Sequence, residues 1–181
     1  MTSARRDRRR PVVDCGPEHL EAIRDIYNDA IRNTTALYEY EPRTPEVIQE
    51  WYDLRCRERI PILGVEWEPG RLAGFATWGP FRPRPAYKYS VEHSVYVDEE
   101  YRGRGLGRLL LEAIVARAEQ RQLHLLVGGI DSSNAASIAL HRSLGFEYCG
   151  TVRQAGFKFG RWLDLQFWQR ILATPTNPVD G

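Results

Sequence analysis

The pattern of apolar and polar positions divides the chain into helical and extended segments. Apolar residues recur at helical spacing over 20–31, which predicts an amphipathic helix. Thr44-Pro45 is typical of a helix start, and a second apolar stripe follows it. Short apolar runs then predict β-strands over 62–67 and 72–78, and the turn residues at 68–71 predict that they form a hairpin.

A period of two marks the next segment, after a proline-containing loop over 79–85. It predicts a strand over 87–97 with one face made by Tyr87, Tyr89, Val91, His93, Val95 and Val97 and the other by Lys88, Ser90, Glu92, Ser94 and Tyr96. The remaining pattern predicts a helix from 106, a strand over 124–130, a helix over 133–144 and strands over 146–152 and 162–170. This order predicts an α/β fold, a mixed and largely antiparallel central sheet with helices on both faces.

Composition narrows the class of protein. The 181 residues predict one domain over 12–172, preceded by a disordered basic arm over 1–11 and followed by a flexible tail over 173–181. A net charge of +1 gives no global field for nucleic acid or an anionic membrane, and a mean hydropathy of −0.47 without a long apolar run predicts no membrane span. Three scattered cysteines argue against a disulfide scaffold or a metal site and favour the cytoplasm.

The strongest local signal is a glycine-rich turn between a predicted strand and a predicted helix. It is formed by Arg102, Gly103, Arg104, Gly105, Leu106, Gly107 and Arg108. Glycines let backbone N–H groups approach a ligand, and the helix N-terminus and arginines add positive charge, so the turn suits a pyrophosphate. A glycine-rich loop with solvated arginines is the alternative. The turn is not a Walker loop, because no Gly-Lys-Ser/Thr follows, and the residues about 20 positions on do not suit a dinucleotide fold.

This signature, with Asn134-x-x-Ser and Gly145-Phe146 downstream, resembles the acyl-CoA site of the GCN5-related N-acetyltransferase family. The segments 91–97, 134–141 and 156–164 resemble its branch that acetylates phosphinothricin, methionine sulfoximine or methionine sulfone. The resemblance implies direct transfer of acetyl from acetyl-CoA to the α-amine of a small amino-acid-like substrate, with acetyl-CoA as co-substrate, no metal and a homodimeric assembly.

The chemistry of acetyl transfer gives roles to individual residues. Glu92, on the polar face of its strand, is the predicted base for the amine, with a surface glutamate as the alternative. The resemblance implies that the backbone of Val95, Tyr96 and Val97 binds acetyl-CoA and polarises its thioester, and that Asn134 and Ser143 also contact it. Where many relatives have tyrosine this chain has His141, which is either the acid for the departing thiolate or a core histidine.

The acceptor contacts follow from the expected carboxylate of the substrate. Arg82 and Arg84, in the loop before the Glu92 strand, are candidates for binding it, although loop arginines are usually solvated. Phe81, Tyr87 and Tyr89 are candidates for the pocket wall. The alternatives to this function are another amine acceptor (a polyamine, an aminoglycoside or a protein N-terminus), a CoA-binding sensor without catalysis, and a nucleic-acid contact through the arginines of the arm, although nucleic acid is not the expected partner.

Overall fold

A central sheet with helices on both sides forms the body of the protein. The computed structural model describes residues 10–180. In chain order the elements are Val12–Asp14 (β1), Leu20–Asn33 (α1), Pro45–Arg57 (α2), Ile62–Glu68 (β2), Arg71–Pro80 (β3), Ser90–Val97 (β4), Leu106–Gln120 (α3), Leu125–Asp131 (β5), Ala135–Ser143 (α4), Glu147–Lys158 (β6) and Arg161–Ile171 (β7).

The sheet has the order β1-β2-β3-β4-β5-β7-β6. Strands β1 to β4 form an antiparallel meander, whereas β4 and β5 are parallel because α3 crosses between them. Strand β7 then pairs with β5 and β6 in antiparallel fashion. The predicted mixed and largely antiparallel sheet is therefore confirmed.

Each face of the sheet carries its own hydrophobic cluster. Helix α1 packs Ile23 and Tyr27 against Phe75 of β3, together with Ile48 of α2. On the opposite face the apolar stripe of α3, including Leu110, packs on the meander, and residues of α4 join it. Burial of these apolar side chains is the main favourable term that holds the helices on the sheet. Helices on both faces are thus confirmed.

The structure corrects several predicted boundaries. The strand predicted over 87–97 begins only at Ser90, because the backbone turns through Pro85–Tyr87, where Lys88 N–H donates to the Pro85 carbonyl. Helix α4 begins at Ala135 instead of the predicted residue 133, with Asn134 as its N-cap. Strand β1 was not predicted, since a three-residue strand has too little periodicity to detect.

The structure describes most of the C-terminal segment but only the last residues of the predicted N-terminal arm. The predicted arm falls mostly on residues 1–9, which lie outside the described residues. At the other end the Tyr89 hydroxyl accepts a hydrogen bond from Val179 N–H at 3.2 Å, and His124 Nδ1 lies 2.9 Å from the Thr174 carbonyl. Between residues 10 and 180, no helix is both long and apolar enough to cross a membrane.

Candidate active site

Strands β4 and β5 separate in the middle of the sheet. They pair at Ser90 with Leu125, Val91 with Leu126 and Glu92 with Val127, and no later pair joins them within the described residues. Beyond this point β4 continues on β3 as far as Val97, while β5 continues on β7 as far as Asp131. We call this opening the splay.

Backbone N–H groups of β4 point into the splay. Amide groups of a strand alternate between its two neighbours, and Asp98 N–H donates to the Ala73 carbonyl near the start of β3. By this alternation the N–H groups of Val95 and Val97 face the side that β5 has left, whereas the N–H of His93 is still used by the last pair, Glu92 with Val127. The backbone N–H of Tyr96, implied above for the thioester, faces β3 instead. Unpaired donors in such a row can bind an amide chain or polarise a carbonyl oxygen.

The glycine-rich turn lies at the end of β4 and leads into α3. Gly103 and Gly105 have φ values of +74° and +83°, a left-handed conformation that glycine adopts without strain. A Cβ at either position would meet no atom of the described residues within 4 Å, so the turn is open to a ligand. Gly105 is also the N-cap of α3, which directs the positive end of that helix toward the turn.

The arginine side chains of the turn have partners within the protein. Arg102 donates to Asp29 of α1 at 2.7 Å and to the Val97 carbonyl at 3.1 Å. Arg104 lies over the Trp67 ring, with its guanidinium carbon 4.7 Å from the ring centroid. Arg108 donates to Ser143 Oγ at 2.7 Å. The binding surface of the turn is therefore mainly backbone.

The splay and the turn open into one cavity of about 800 Å³. Its lining includes β4 from His93 to Val97, the turn, Gly128 to Asp131 of β5, and the first half of α4 with Asn134. The end of α1 and the following residues Thr34 to Ala36 cover it from the other side. A cavity of this size suits a cofactor-sized ligand.

Glu92 lies on the sheet face that carries α1 and α2. It is half-buried, and a Cβ at Gly129 of the cavity lining would lie only 3.0 Å from Glu92 Oε1. A Cβ at Gly79, which pairs with Glu92 across β3, would meet no described atom within 4 Å, so there is space beside the carboxylate. Burial raises the pKa of Glu92, and the positive charge of Arg82 opposes the shift. This environment differs from that of a surface glutamate.

His141 lies on the opposite face of the sheet, where it borders the same cavity. Its ring packs edge-on against Phe146, and its Nδ1 lies 2.8 Å from the Ser137 carbonyl. Its Nε2 lies 2.9 Å from Nε2 of His93. Burial lowers the pKa of His141, although the Ser137 carbonyl opposes this, so the ring is neutral near pH 7.

The residues implied for acetyl-CoA binding lie around the cavity with different local roles. Asn134 borders it and caps α4, since its side-chain oxygen accepts from Ser137 N–H at 3.0 Å. Ser143 lies at the end of α4, where it accepts from Arg108 and donates to the Leu140 carbonyl at 2.7 Å.

The candidate acceptor residues are placed apart from this cavity. Arg82, Arg84 and Tyr87 line a separate cavity of about 360 Å³. Phe81 makes an edge contact with Tyr87, and the Tyr89 hydroxyl is bound to the backbone of Val179. Of this set, Arg82 is the residue whose charge acts on Glu92.

A group of residues holds the cover of the cavity in place through contacts that the sequence did not indicate. Lys158 of β6 is buried and donates to the carbonyls of Thr34 and Leu37 at 2.8 and 2.7 Å. The Tyr38 hydroxyl donates to Asp131 Oδ2 at 3.0 Å. Although burial opposes it, hydrogen bonds from Ser133 and Tyr38 lower the pKa of Asp131. In the sequence, Lys158 belongs to the segment 156–164 that resembles the family branch, but this resemblance did not identify its carbonyl partners.

Comparison with known proteins identifies the family. The model of the acetyltransferase (GNAT) family matches residues 20–146. An L-methionine sulfoximine/L-methionine sulfone acetyltransferase from Pseudomonas paraeruginosa is 48% identical over 158 residues, which cover 87% of this chain and 92% of the relative.

Solved structures are similar over nearly the whole fold. An N-acetyltransferase from Staphylococcus aureus has a TM-score of 0.87 and 45% identity, over 89% of this chain and 97% of the other. A phosphinothricin acetyltransferase from Sinorhizobium meliloti in complex with acetyl-CoA has a TM-score of 0.89 and 34% identity, over 93% and 92% of the two chains.

Proposed function

The chain belongs to the acetyltransferase (GNAT) family and is an N-acyltransferase with an amine acceptor, and from this premise we propose its acceptor and its mechanism. The proposed reaction transfers acetyl from acetyl-CoA to the α-amine of a small amino acid. Methionine sulfoximine and methionine sulfone are the first candidates, because the relative from Pseudomonas paraeruginosa is named for them. Phosphinothricin is the next, because the Sinorhizobium meliloti structure carries that name.

One observation carries the proposal: the sheet opens directly after Glu92, into a cavity that ends at the glycine-rich turn. The N–H groups of 103–108 would hold the diphosphate, and those of Val95 and Val97 would hold the pantetheine arm and polarise the thioester carbonyl. Acetyl-CoA, when bound, supplies the thioester whose acetyl group is transferred. The open glycines and the unpaired edge of β4 fit such a ligand.

Glu92 acts as the base in this proposal. The acceptor ammonium occupies the space beside Gly79 and gives one proton to the carboxylate, directly or through water. Its nitrogen then forms the new C–N bond, the C–S bond breaks to release the CoA thiolate, and the second proton of the nitrogen passes to that thiolate directly or through water. Burial raises the pKa of Glu92, which makes its carboxylate a better proton acceptor. Arg82, whose charge reaches Glu92, is proposed to attract the carboxylate of the acceptor.

His141 fits a positioning role better than that of a free acid. A proton donor needs a nitrogen that is free to donate, whereas Nδ1 of His141 faces the Ser137 carbonyl and its Nε2 faces His93. We therefore propose that His141 borders the departing sulfur as a neutral ring, and that Asn134 and Ser143 support the adjoining acetyl-CoA site from α4.

A thiol-release assay with acetyl-CoA tests the function. The acceptor panel contains methionine sulfoximine, methionine sulfone, phosphinothricin, free amino acids, polyamines and aminoglycosides. We expect saturable release with the amino-acid analogues, and a loss of about 10²- to 10⁴-fold in kcat for Glu92→Gln. Glu68→Gln, at an exposed glutamate of β2, is the control and keeps full activity. Release with polyamines or aminoglycosides alone would refute the acceptor class, and full turnover of Glu92→Gln would refute the base.

A homodimer is part of the proposal, and the edge strand β6 supports it. Strand β6 ends the sheet, and the β6–β7 hairpin exposes Tyr148, Phe157 and Trp162 by 54%, 47% and 59%. An exposed edge with apolar side chains is a surface that proteins usually cover. Sedimentation equilibrium should give twice the chain mass, with a shift toward monomer in Val152→Lys. A monomer at all concentrations would contradict the dimer.

A further inference from the structure

Two buried histidines meet where β4 and β5 separate. His93 is the first residue of β4 after its last pair with β5, and its ring stacks on that of His141 with centroids 5.1 Å apart. Both side chains are buried, and both rings border the cavity. Gly128 of β5 makes room for them, since a Cβ there would lie 3.1 Å from His93 Cε1 and 3.2 Å from His141 Nε2. The pair therefore occupies the apex of the splay.

The hydrogen-bond partners determine where the protons are. The Ser137 carbonyl can only accept, so Nδ1 of His141 carries a proton. The two Nε2 atoms are 2.9 Å apart, which requires one proton between them. Burial, and next the charge of His141, lowers the pKa of His93 to about 3, and burial also lowers that of His141, so the pair is neutral.

In a neutral pair the shared proton belongs to His93. His141 already holds its proton on Nδ1, so its Nε2 accepts and Nε2 of His93 donates. Nδ1 of His93 is then unprotonated, and it makes no hydrogen bond of normal geometry within the described residues. The opposite assignment, with the His93 proton on Nδ1 beside the Val127 carbonyl, would leave two bare nitrogens facing each other.

We propose that His93 is a positioning residue for the acetyl transfer: it donates to Nε2 of His141 and so keeps that ring in one tautomer and one orientation at the apex of the splay. The role rests on the proposed function, since it concerns the site where the thioester would lie. Without the donor, Nε2 of His141 becomes an unpaired buried acceptor and the ring can rotate or exchange its proton between nitrogens. The part of the cavity lining that His141 forms beside the thioester then loses its fixed shape.

Nitrogen NMR on the wild-type protein tests the hydrogen bond without any variant. In a sample labelled with ¹⁵N-histidine, we expect a scalar coupling across the N–H···N bond between Nε2 of His93 and Nε2 of His141. We also expect His141 to be protonated at Nδ1 only. No coupling, or a His141 proton on Nε2, would overturn the proposal. This result does not depend on activity, so failure of the enzyme to acetylate any amine would refute the proposed function separately.

Variants of His93 test the consequence for the reaction. His93→Phe fills the space but removes the donor, whereas His93→Gln keeps an N–H group near the position of Nε2. We expect kcat to fall about 10- to 100-fold in the phenylalanine variant, with a smaller change in KM for acetyl-CoA, and to recover at least in part in the glutamine variant. The His141 spectrum should show mixed tautomers only in His93→Phe. Equal activity of all three proteins, or an unchanged His141 spectrum in His93→Phe, would overturn the proposal.

Discussion

At the scale of single residues, burial and a nearby positive charge shift the pKa of Glu92 in opposite directions. Its position on β4 half-buries the carboxylate, which raises its pKa, and Arg82 lowers it. A base must be ionised to accept a proton, so activity should be lost as the pH falls through the pKa of Glu92. We therefore expect kcat/KM for the acceptor to fall on the acid side at a pH above the usual pKa range of a glutamate.

Removing the charge of Arg82 gives a prediction with a definite sign. In Arg82→Gln the carboxylate of Glu92 loses a favourable positive neighbour, so its pKa rises and the acid limb moves to higher pH. Arg84→Gln is the matched control, since the charge of Arg84 has no such effect on Glu92, and its limb should stay in place. A pH–rate profile measures both. If the acid limb of Arg82→Gln stayed in place or moved to lower pH, the charge of Arg82 would not influence the pKa of Glu92.

Gly128 gives a prediction about packing at the apex of the splay. Alanine there brings a methyl group to 3.1 and 3.2 Å from the rings of His93 and His141, both of which are buried. We expect Gly128→Ala to lower the free energy of unfolding by about 1–3 kcal/mol through overpacking. Gly79→Ala, where a Cβ meets no described atom within 4 Å, should be no less stable than wild type in the same urea titration. Equal stability of the two variants would show that the rings have room to move.

Some residue placements could be predicted from sequence and others could not. The alternation along β4 correctly assigned Glu92 and His93 to opposite faces, because side-chain direction in a strand depends only on parity. The contact between Tyr89 and Val179 spans 90 residues, and nothing in the local pattern indicates it. The His93–His141 pair was missed for the same reason, since its partners lie 48 residues apart.

At the scale of elements, the splay lies between two parts of the sheet that stay paired on their outer sides. Strand β5 keeps its pairing with β7 through Asp131, and β4 keeps its pairing with β3 through Val97. The sequence predicted the strands and the glycine-rich turn from local signals. It could not predict the separation, because where a parallel pair ends is a relation between two strands that local sequence patterns do not describe.

Lys158 gives a prediction about the element that covers the cavity. Lys158→Met keeps the aliphatic stem but leaves the carbonyls of Thr34 and Leu37 without their donor. We expect a loss of about 1–3 kcal/mol in the free energy of unfolding and a higher KM for the acceptor. Lys88→Met, at an exposed lysine, is the control and should change neither. A normal KM in Lys158→Met would show that the cover does not shape the acceptor site.

At the scale of the whole molecule, ligand binding should stabilise the fold. A ligand that binds only the native protein adds about 2.7 kcal/mol at 100 times its Kd, which is roughly a 5–10 °C rise in Tm for a chain of this size. We expect CoA to give such a rise in a thermal melt. Adenosine, which lacks the diphosphate, should give none at equal concentration. Equal Tm shifts with both ligands would show that the adenosine part, and not the diphosphate at the turn, provides the binding energy.

In the proposed complex the backbone of 103–108 holds the diphosphate and directs the acyl end through the splay toward Glu92. A crystal structure of the protein with acetyl-CoA measures this directly. We predict diphosphate oxygens within about 3.2 Å of N–H groups in that turn, and the thioester carbonyl next to an unpaired N–H of β4. A diphosphate bound away from the turn, or an acyl group outside the opening between β4 and β5, would contradict the claim.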